Sequence, residues 1–321
     1  MIIHYGDVLR HRNKIQPMKH IFLVALLGCS YLVSISQVPK VSSGTIKHYE
    51  KFESKYVVSR NVDVWLPHGY DSKKKYAVLY MHDGQMLFDS TNNWNKQEWG
   101  VDECVGKLMK EKRIIECIVV GIWNVPADRF ANYFPEKVLA QIQEPAKTQI
   151  LTKQLKEEPS ADNYLKFLVT ELKPFIDSVY STKRGIKNTF VMGSSMGALI
   201  SVYALCEYPN VFGGAACLSI HSPLAAPDLI NEQTDEEVAS KLRKYLLAHL
   251  PKANTRKIYF DYGDHTLDSL YKPFQIKIDD VMHQKGYTTS YWQTKYFPGE
   301  DHSEKSWRKR LDIPLLFLLK K

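Results

Sequence analysis

The chain has 321 residues, 44% apolar and 24% charged, the balance of an ordinary globular protein whose core needs no disulfide scaffold. Its net charge of +8 is partly N-terminal, where Arg10, Arg12, Lys14 and Lys19 face one acid, Asp7. The rest is dispersed among mixed-sign neighbours such as Lys156-Glu157 and Glu304-Lys305, which excludes the concentrated basic face of a nucleic-acid binder.

Residues 1–36 read as a targeting segment. Met18-Lys19-His20 supplies a charged start, Ile21 to Gly28 a short apolar run, and Ser34-Ile35-Ser36 the small residues that a signal peptidase requires. Cleavage there leaves Gln37 as the mature N-terminus and an exported protein, periplasmic or secreted. Met18 is the better start, which makes residues 1–17 an extension. A rival reading takes Leu26-Leu27-Gly28-Cys29 as a lipoprotein signal acylated at Cys29. The apolar run is short of the roughly 20 residues that span a bilayer, so no transmembrane helix is expected. Cys104, Cys117, Cys206 and Cys217 remain after cleavage; export permits disulfides and the sequence chooses none of the three pairings, but each stands in or beside an apolar stretch, which favours buried free thiols.

Residues 37–55 are taken as a lead-in, and one domain is expected over 56–321. Tyr56–Leu66 alternates β-branched and polar residues, as in an edge hairpin. Tyr76-Ala77-Val78-Leu79-Tyr80-Met81 and Cys117-Ile118-Val119-Val120-Gly121-Ile122 are continuous apolar runs of buried parallel strands. Thr189–Met192, Ala215–Leu218 and Lys257–Phe260 repeat that character. Helical segments fall between them near 98–112, 163–180, 196–207, 235–249, 268–285 and 303–319. This alternation predicts a mostly parallel sheet with helices on both faces, an α/β fold. Two stretches break it, near 124–160 and 221–234, and are read as inserted loops of the kind that sit over a site.

Gly193-Ser194-Ser195-Met196-Gly197 follows a predicted strand and opens a predicted helix, the context of a nucleophile elbow. The turn is so tight that the residues two before and two after the serine nearly touch, and glycine fits both places. The Met196 N–H, at a helix start, can then stabilise an oxyanion beside Ser195. The base and the acid should follow in the order serine, acid, histidine. His302, in Pro298-Gly299-Glu300-Asp301-His302-Ser303, lies between the last strand and the last helix, where the base belongs. The acid is left between Asp264 and Asp268 in the loop after the strand at 257–262. The second oxyanion donor should come from Met81-His82-Asp83-Gly84-Gln85-Met86, with the Gln85 N–H as donor. No G-x-G-x-x-G follows the first strand and no phosphate-binding loop occurs, so no nucleotide is expected. Neither H-E-x-x-H nor paired C-x-x-C is present, so no metal is expected and the chemistry calls for no cofactor.

His82-Asp83-Gly84-Gln85-Met86-Leu87-Phe88, with Trp94-Asn95 and Glu98-Trp99-Gly100, resembles the esterase D-like esterases, which include enterochelin-type esterases and the feruloyl and acetyl xylan esterases of carbohydrate esterase family 1. The elbow matches theirs, and Gly299-Glu300-Asp301-His302-Ser303-Glu304 with Trp307 matches their histidine loop. The resemblance covers about residues 45–320 and implies the α/β-hydrolase fold and serine esterase activity. Thr266-Leu267-Asp268 and Tyr271 resemble the segment that carries the acid in relatives, so the resemblance implies Asp268. The chain departs from relatives at Asn132-Tyr133-Phe134-Pro135, where an acidic residue often precedes the Tyr-x-Pro. Arg129 is a candidate for binding a carboxylate or sugar hydroxyl, against a structural ion pair. Trp123 is a candidate for stacking on a sugar or feruloyl ring, against a place in the core.

The expectation is ester hydrolysis through an acyl-enzyme by Ser195, Asp268 and His302, on acetyl or feruloyl groups of polysaccharides or oligosaccharides. A siderophore esterase, an acyltransferase and a non-catalytic binding protein on a hydrolase scaffold are the alternatives.

Overall fold

The computed structural model describes residues 38–156 and 158–321. The expected signal segment at 1–36, with Cys29, lies outside them. Eight strands form one sheet: β1 (Thr45–Phe52), β2 (Arg60–Leu66), β3 (Ala77–His82), β4 (Cys117–Ile122), β5 (Thr189–Ser194), β6 (Gly214–Leu218), β7 (Lys257–Tyr262) and β8 (Trp292–Tyr296). Their spatial order is β1-β2-β4-β3-β5-β6-β7-β8. β1, β2 and β4 pair antiparallel and every later pair is parallel.

The continuous apolar runs follow from burial on both faces. Alternate side chains of a strand point to opposite sides. Val78 and Tyr80 of β3 enter one core with Ile118, Val120, Val191, Ile258 and Phe260, whereas Ala77, Leu79 and Met81 enter the other with Val119, Met192 and Tyr259. Helices cover both faces, among them α1 (Val101–Lys110), α2 (Ala161–Lys166), which continues through a π-helical stretch Phe167–Leu172 into α3 (Lys173–Val179), α4 (Met196–Glu207), α5 (Ser240–His249), α6 (Lys272–Gln284), α7 (Glu304–Arg310) and α8 (Asp312–Leu319). α4 runs under the middle of the sheet and buries all of Met196–Cys206, which is why its sequence shows no polar face.

Two expectations are corrected. The edge hairpin is not contained in 56–66: its first strand, β1, lies in the segment taken as a lead-in, and pairs with β2 from Thr45↔Leu66 to Phe52↔Arg60. β1 is the true edge, and its charged residues, Lys47, Glu50 and Lys51, protect it from pairing with other chains. Residues 124–160 are not a plain loop either. They form short helices at Arg129–Tyr133, Glu136–Leu139 and Ala146–Gln149 and a π-helical stretch at Ile150–Leu155. Tyr133, Phe134, Val138, Leu139 and Ile142, scattered between prolines in sequence, anchor them in the core. Among the described residues the four cysteines are unpaired, three of them buried, and no helix is long and apolar enough to cross a membrane.

Candidate active site

The site forms at the carboxyl ends of the parallel strands. β5 ends at Ser194, Ser195 takes φ 55° and ψ −121°, and α4 starts at Met196. A Cβ on Gly193 would stand 2.6 Å from the carbonyl carbon of Gly197, so this close approach needs glycine. The Ser195 backbone is held at both ends: its N–H donates to the Leu218 carbonyl at 3.0 Å and its carbonyl accepts from Ala198, Leu199 and His221. Being first in α4, the Met196 N–H has no intrahelical acceptor.

Asp268 sits in a 3-10 turn, Thr266–Leu270, and is fully buried. Its Oδ1 lies 2.6 Å from His302 Nδ1, and its Oδ2 accepts from the Gly263 N–H and the Ser219 hydroxyl, each at 2.7 Å. The His302 N–H donates to Thr266 Oγ1 at 3.0 Å, so both chain segments are locked together. Edge contacts with Trp307 (5.1 Å between ring centres) and Tyr271 (5.7 Å) hold the imidazole from both sides. With Nδ1 engaged, Nε2 is the nitrogen left for chemistry, and Ser195 and His302 line one cleft. The described residues make no hydrogen bond between Ser195 Oγ and His302, a contact that in hydrolases commonly tightens only when substrate binds.

Asp264 is elsewhere. Its carboxylate accepts from the Tyr296 hydroxyl and the Gly299 N–H and lies beside His265, and the Tyr296 hydrogen bond leads the contacts that bring its carboxyl down to about 2. Of the two candidate acids, Asp268 is therefore the one that meets His302.

Gln85 lies in the turn after β3, where Gly84 packs so closely on β4 that a Cβ would meet the Gly121 carbonyl carbon at 2.6 Å. Asp83, at φ 56°, starts this turn. Burial alone would raise its carboxyl, but the adjacent Arg129 brings it below its ordinary value. Arg129 is thus committed to an ion pair while it also lines the site. Trp123 is a correction: its indole N–H donates to Asp63 at 2.5 Å and its ring meets His48, among the antiparallel strands and outside the cleft lining. Of the tryptophans that line the cleft, Trp99 and Trp307 are buried and Trp94 is 87% exposed.

Sequence reasoning passed over His221 and gave Tyr271 no role. The Tyr271 hydroxyl is 2.7 Å from His221 Nδ1 and also meets the Ser195 side chain. Burial pushes His221 down to about 3, so it is neutral at any ordinary pH. Its position in a stretch that broke the α/β alternation was the only signal.

Two cavities meet at Ser195. One, about 480 Å³, is walled by Pro126, Ala127, Phe130, Leu155, Met196 and Leu267. The other, about 660 Å³, holds His302 and is edged by Trp94, Asn95, Gln97, Asn124 and Glu304. No group of three metal-ligating side chains occurs among the described residues.

A family model described as "Putative esterase" matches residues 57–317. The uncharacterized protein YjcH of Bacillus subtilis (strain 168) is 24% identical over 172 residues, 53% of this chain and 60% of that protein. The chain therefore spans less than two thirds of that relative. Among solved structures, a CE1 ferulic acid esterase from Anaeromyces mucronatus is similar with a TM-score of 0.59 at 20% identity, covering 89% of this chain and 93% of that one. The enterobactin esterase FES of Shigella flexneri gives 0.60 at 18% identity, covering 87% and 60%. At such identities these structures establish the α/β-hydrolase fold.

Proposed function

Because this chain belongs to that esterase family, we propose that it is a carboxylic ester hydrolase that works through an acyl-enzyme on Ser195 and removes acyl groups from saccharides. The observation that carries this reading is the buried Asp268 set 2.6 Å from His302, with Ser195 in the same cleft. His302 Nε2 takes the proton of Ser195 as Oγ attacks the ester carbonyl. Asp268 holds the imidazole with Nδ1 protonated and stabilises the imidazolium. The N–H groups of Met196 and Gln85 receive the oxyanion, a contribution of about 2.7–4 kcal/mol per donor in comparable sites. His302 then protonates the departing alcohol and activates water to release the acyl group.

This assignment of roles also orients the substrate. The departing oxygen must reach His302, so the alcohol occupies the polar cleft that His302 lines, with its side-chain amides and the open face of Trp94. Those groups suit sugar hydroxyls and a sugar ring. The acyl group then fills the apolar 480 Å³ cavity, a volume that favours a feruloyl-sized group over acetyl. Arg129, Lys153 and Lys156 on its wall favour, as a second reading, the electron-rich acyl group of a siderophore ester. Export of the protein to meet either substrate is part of the proposal, resting on residues 18–36 of the sequence.

The test is labelling with a fluorophosphonate and peptide mapping of wild type and His302→Ala, followed by a panel of acetylated, feruloylated and siderophore esters. The reading expects label on Ser195, lost in the variant, and fastest turnover of feruloylated saccharides. A folded wild type left unlabelled would overturn it.

A further inference from the structure

We propose that Ser219, backed by the buried Arg310, is a positioning residue that fixes Asp268 and moderates its pull on His302; this rests on reading Ser195, Asp268 and His302 as the reacting set. Ser219 follows β6 with φ 44°, a left-handed backbone that turns its hydroxyl into the space behind Asp268. Three groups meet that hydroxyl. The Trp307 indole N–H donates to it at 3.0 Å and Arg310 Nη2 donates to it at 3.1 Å. Neither group can accept, so both lone pairs of Ser219 Oγ are taken and its single proton goes to Asp268 Oδ2, at 2.7 Å. The direction of this hydrogen bond is therefore fixed by chemistry.

Arg310 gives the chain its charge. It is 2% exposed, and it also donates to both oxygens of Asp261, itself fully buried and touched by the Tyr259 hydroxyl. A guanidinium that polarises Ser219 strengthens the bond onward to Asp268, since hydrogen bonds in series reinforce one another in a buried setting. The groups facing Asp268 are thus Ser219, the Gly263 N–H, Tyr271 and His302, with Arg310 and Asp261 behind. Those facing His302 are Asp268, Tyr271, Trp307 and, electrostatically, His221. Ser219 draws electron density from the carboxylate oxygen that does not touch His302. Removing it concentrates negative charge on the imidazole side and stabilises the protonated, inactive imidazolium.

The experiment follows the rate of fluorophosphonate labelling at Ser195 against pH in the full chain, for wild type, Ser219→Ala and Ser219→Gly. Glycine accepts the positive φ, so this variant separates loss of the hydroxyl from backbone strain. Both variants should show the acid limb moved to higher pH by about half a unit or more, with the plateau lowered several-fold. A limb that stays in place in both folded variants, whatever the plateau does, would overturn the proposal, because a merely structural serine lowers the plateau alone. A wild type without label at any pH would instead overturn the assignment of the reacting set, and this inference with it.

Discussion

Arg129 grips Asp83 through two parallel hydrogen bonds, Nε to Oδ1 and Nη2 to Oδ2, both at 2.8 Å. Asp83 starts the turn that carries Gln85, and Arg129 comes from the insertion that walls both cavities. The pair therefore ties the shape of the substrate cavities to the loop proposed to bind the oxyanion. Arg129→Lys keeps the charge but not the planar fork, and should lower kcat several-fold with little change in fold. Arg129→Leu leaves the Asp83 carboxylate without its cation and should cost roughly 2 kcal/mol of stability or more. Denaturant midpoints and kcat of both variants check this; a lysine variant that kept the wild-type kcat would reduce the pair to simple charge balance.

Trp94 is solvent-exposed at the edge of the cleft that holds His302, so removing it takes little from the core. Trp94→Ala should leave the melting temperature within about a degree or two, as for surface changes generally. On a saccharide ester KM should rise several-fold, while a small aryl ester shows no such change. A rise on both substrates would place the role of Trp94 in the acyl step.

Two buried histidines set an acid limit on stability. Burial lowers His82 to about 4 and His221 to about 3, and each spends its Nδ1 on a tyrosine hydroxyl, Tyr164 for His82 and Tyr271 for His221. The unfolded chain protonates such groups near 6.5, so it binds more protons than the native state as pH falls below that value. Their contribution is fully present above about 6.5 and is lost on the way to about 3–4. His48, raised chiefly by its hydrogen bond to Asp63, works in the opposite direction: its contribution is present at low pH and is lost as pH rises through its folded value. The melting temperature should therefore decline steeply between about pH 6 and 4, and His82→Gln should flatten part of that decline. A decline unchanged in that variant would remove His82 from the account.

Much of this was legible in the sequence, for reasons that can be traced to particular residues. The strands β3, β4 and β5 declared themselves because both of their faces are buried, which forces continuous apolar runs. Gly193 and Gly197 stood out because they flank Ser195 at the same spacing, and Gly193 stands where a Cβ would collide with the Gly197 backbone. β1 was missed because an edge strand carries charge on a surface that faces water. Arg310 stands in the basic run Arg308-Lys309-Arg310, yet the helical turn leaves Arg308 and Lys309 outside and sends Arg310 inward to Asp261. Nothing in that run marks the buried member, because its partner lies 49 residues away. Trp123 was the stacking candidate in the sequence, where nothing singled out Trp94 for that role; the fold sets Trp123 against Asp63 and leaves Trp94 at the cleft.

Asp264 and Asp268, four positions apart, give the sharpest comparison. Asp264 is half-exposed and spends its oxygens on Tyr296, Gly299 and His265, contacts that shape the loop leading to His302. Asn in its place keeps an acceptor for Tyr296 or Gly299, so Asp264→Asn should hold kcat within a few-fold and lower the melting temperature slightly. Asp268 has no solvent and no spare oxygen: Oδ1 receives His302, and Oδ2 receives Gly263 and Ser219. Asn there must place its NH₂ on one side or the other. Toward His302 it forces the proton from Nδ1 to Nε2, which disables the base; toward Ser219 and Gly263 it sets donors against donors. Either way kcat should fall by about 10⁴-fold, the scale of the same change in a serine protease, with a residual rate from the oxyanion donors. Steady-state kinetics on one aryl ester reads both variants. If Asp264→Asn lost activity on that scale and Asp268→Asn did not, the acid would have to be reassigned and the loop would have to rearrange when substrate binds.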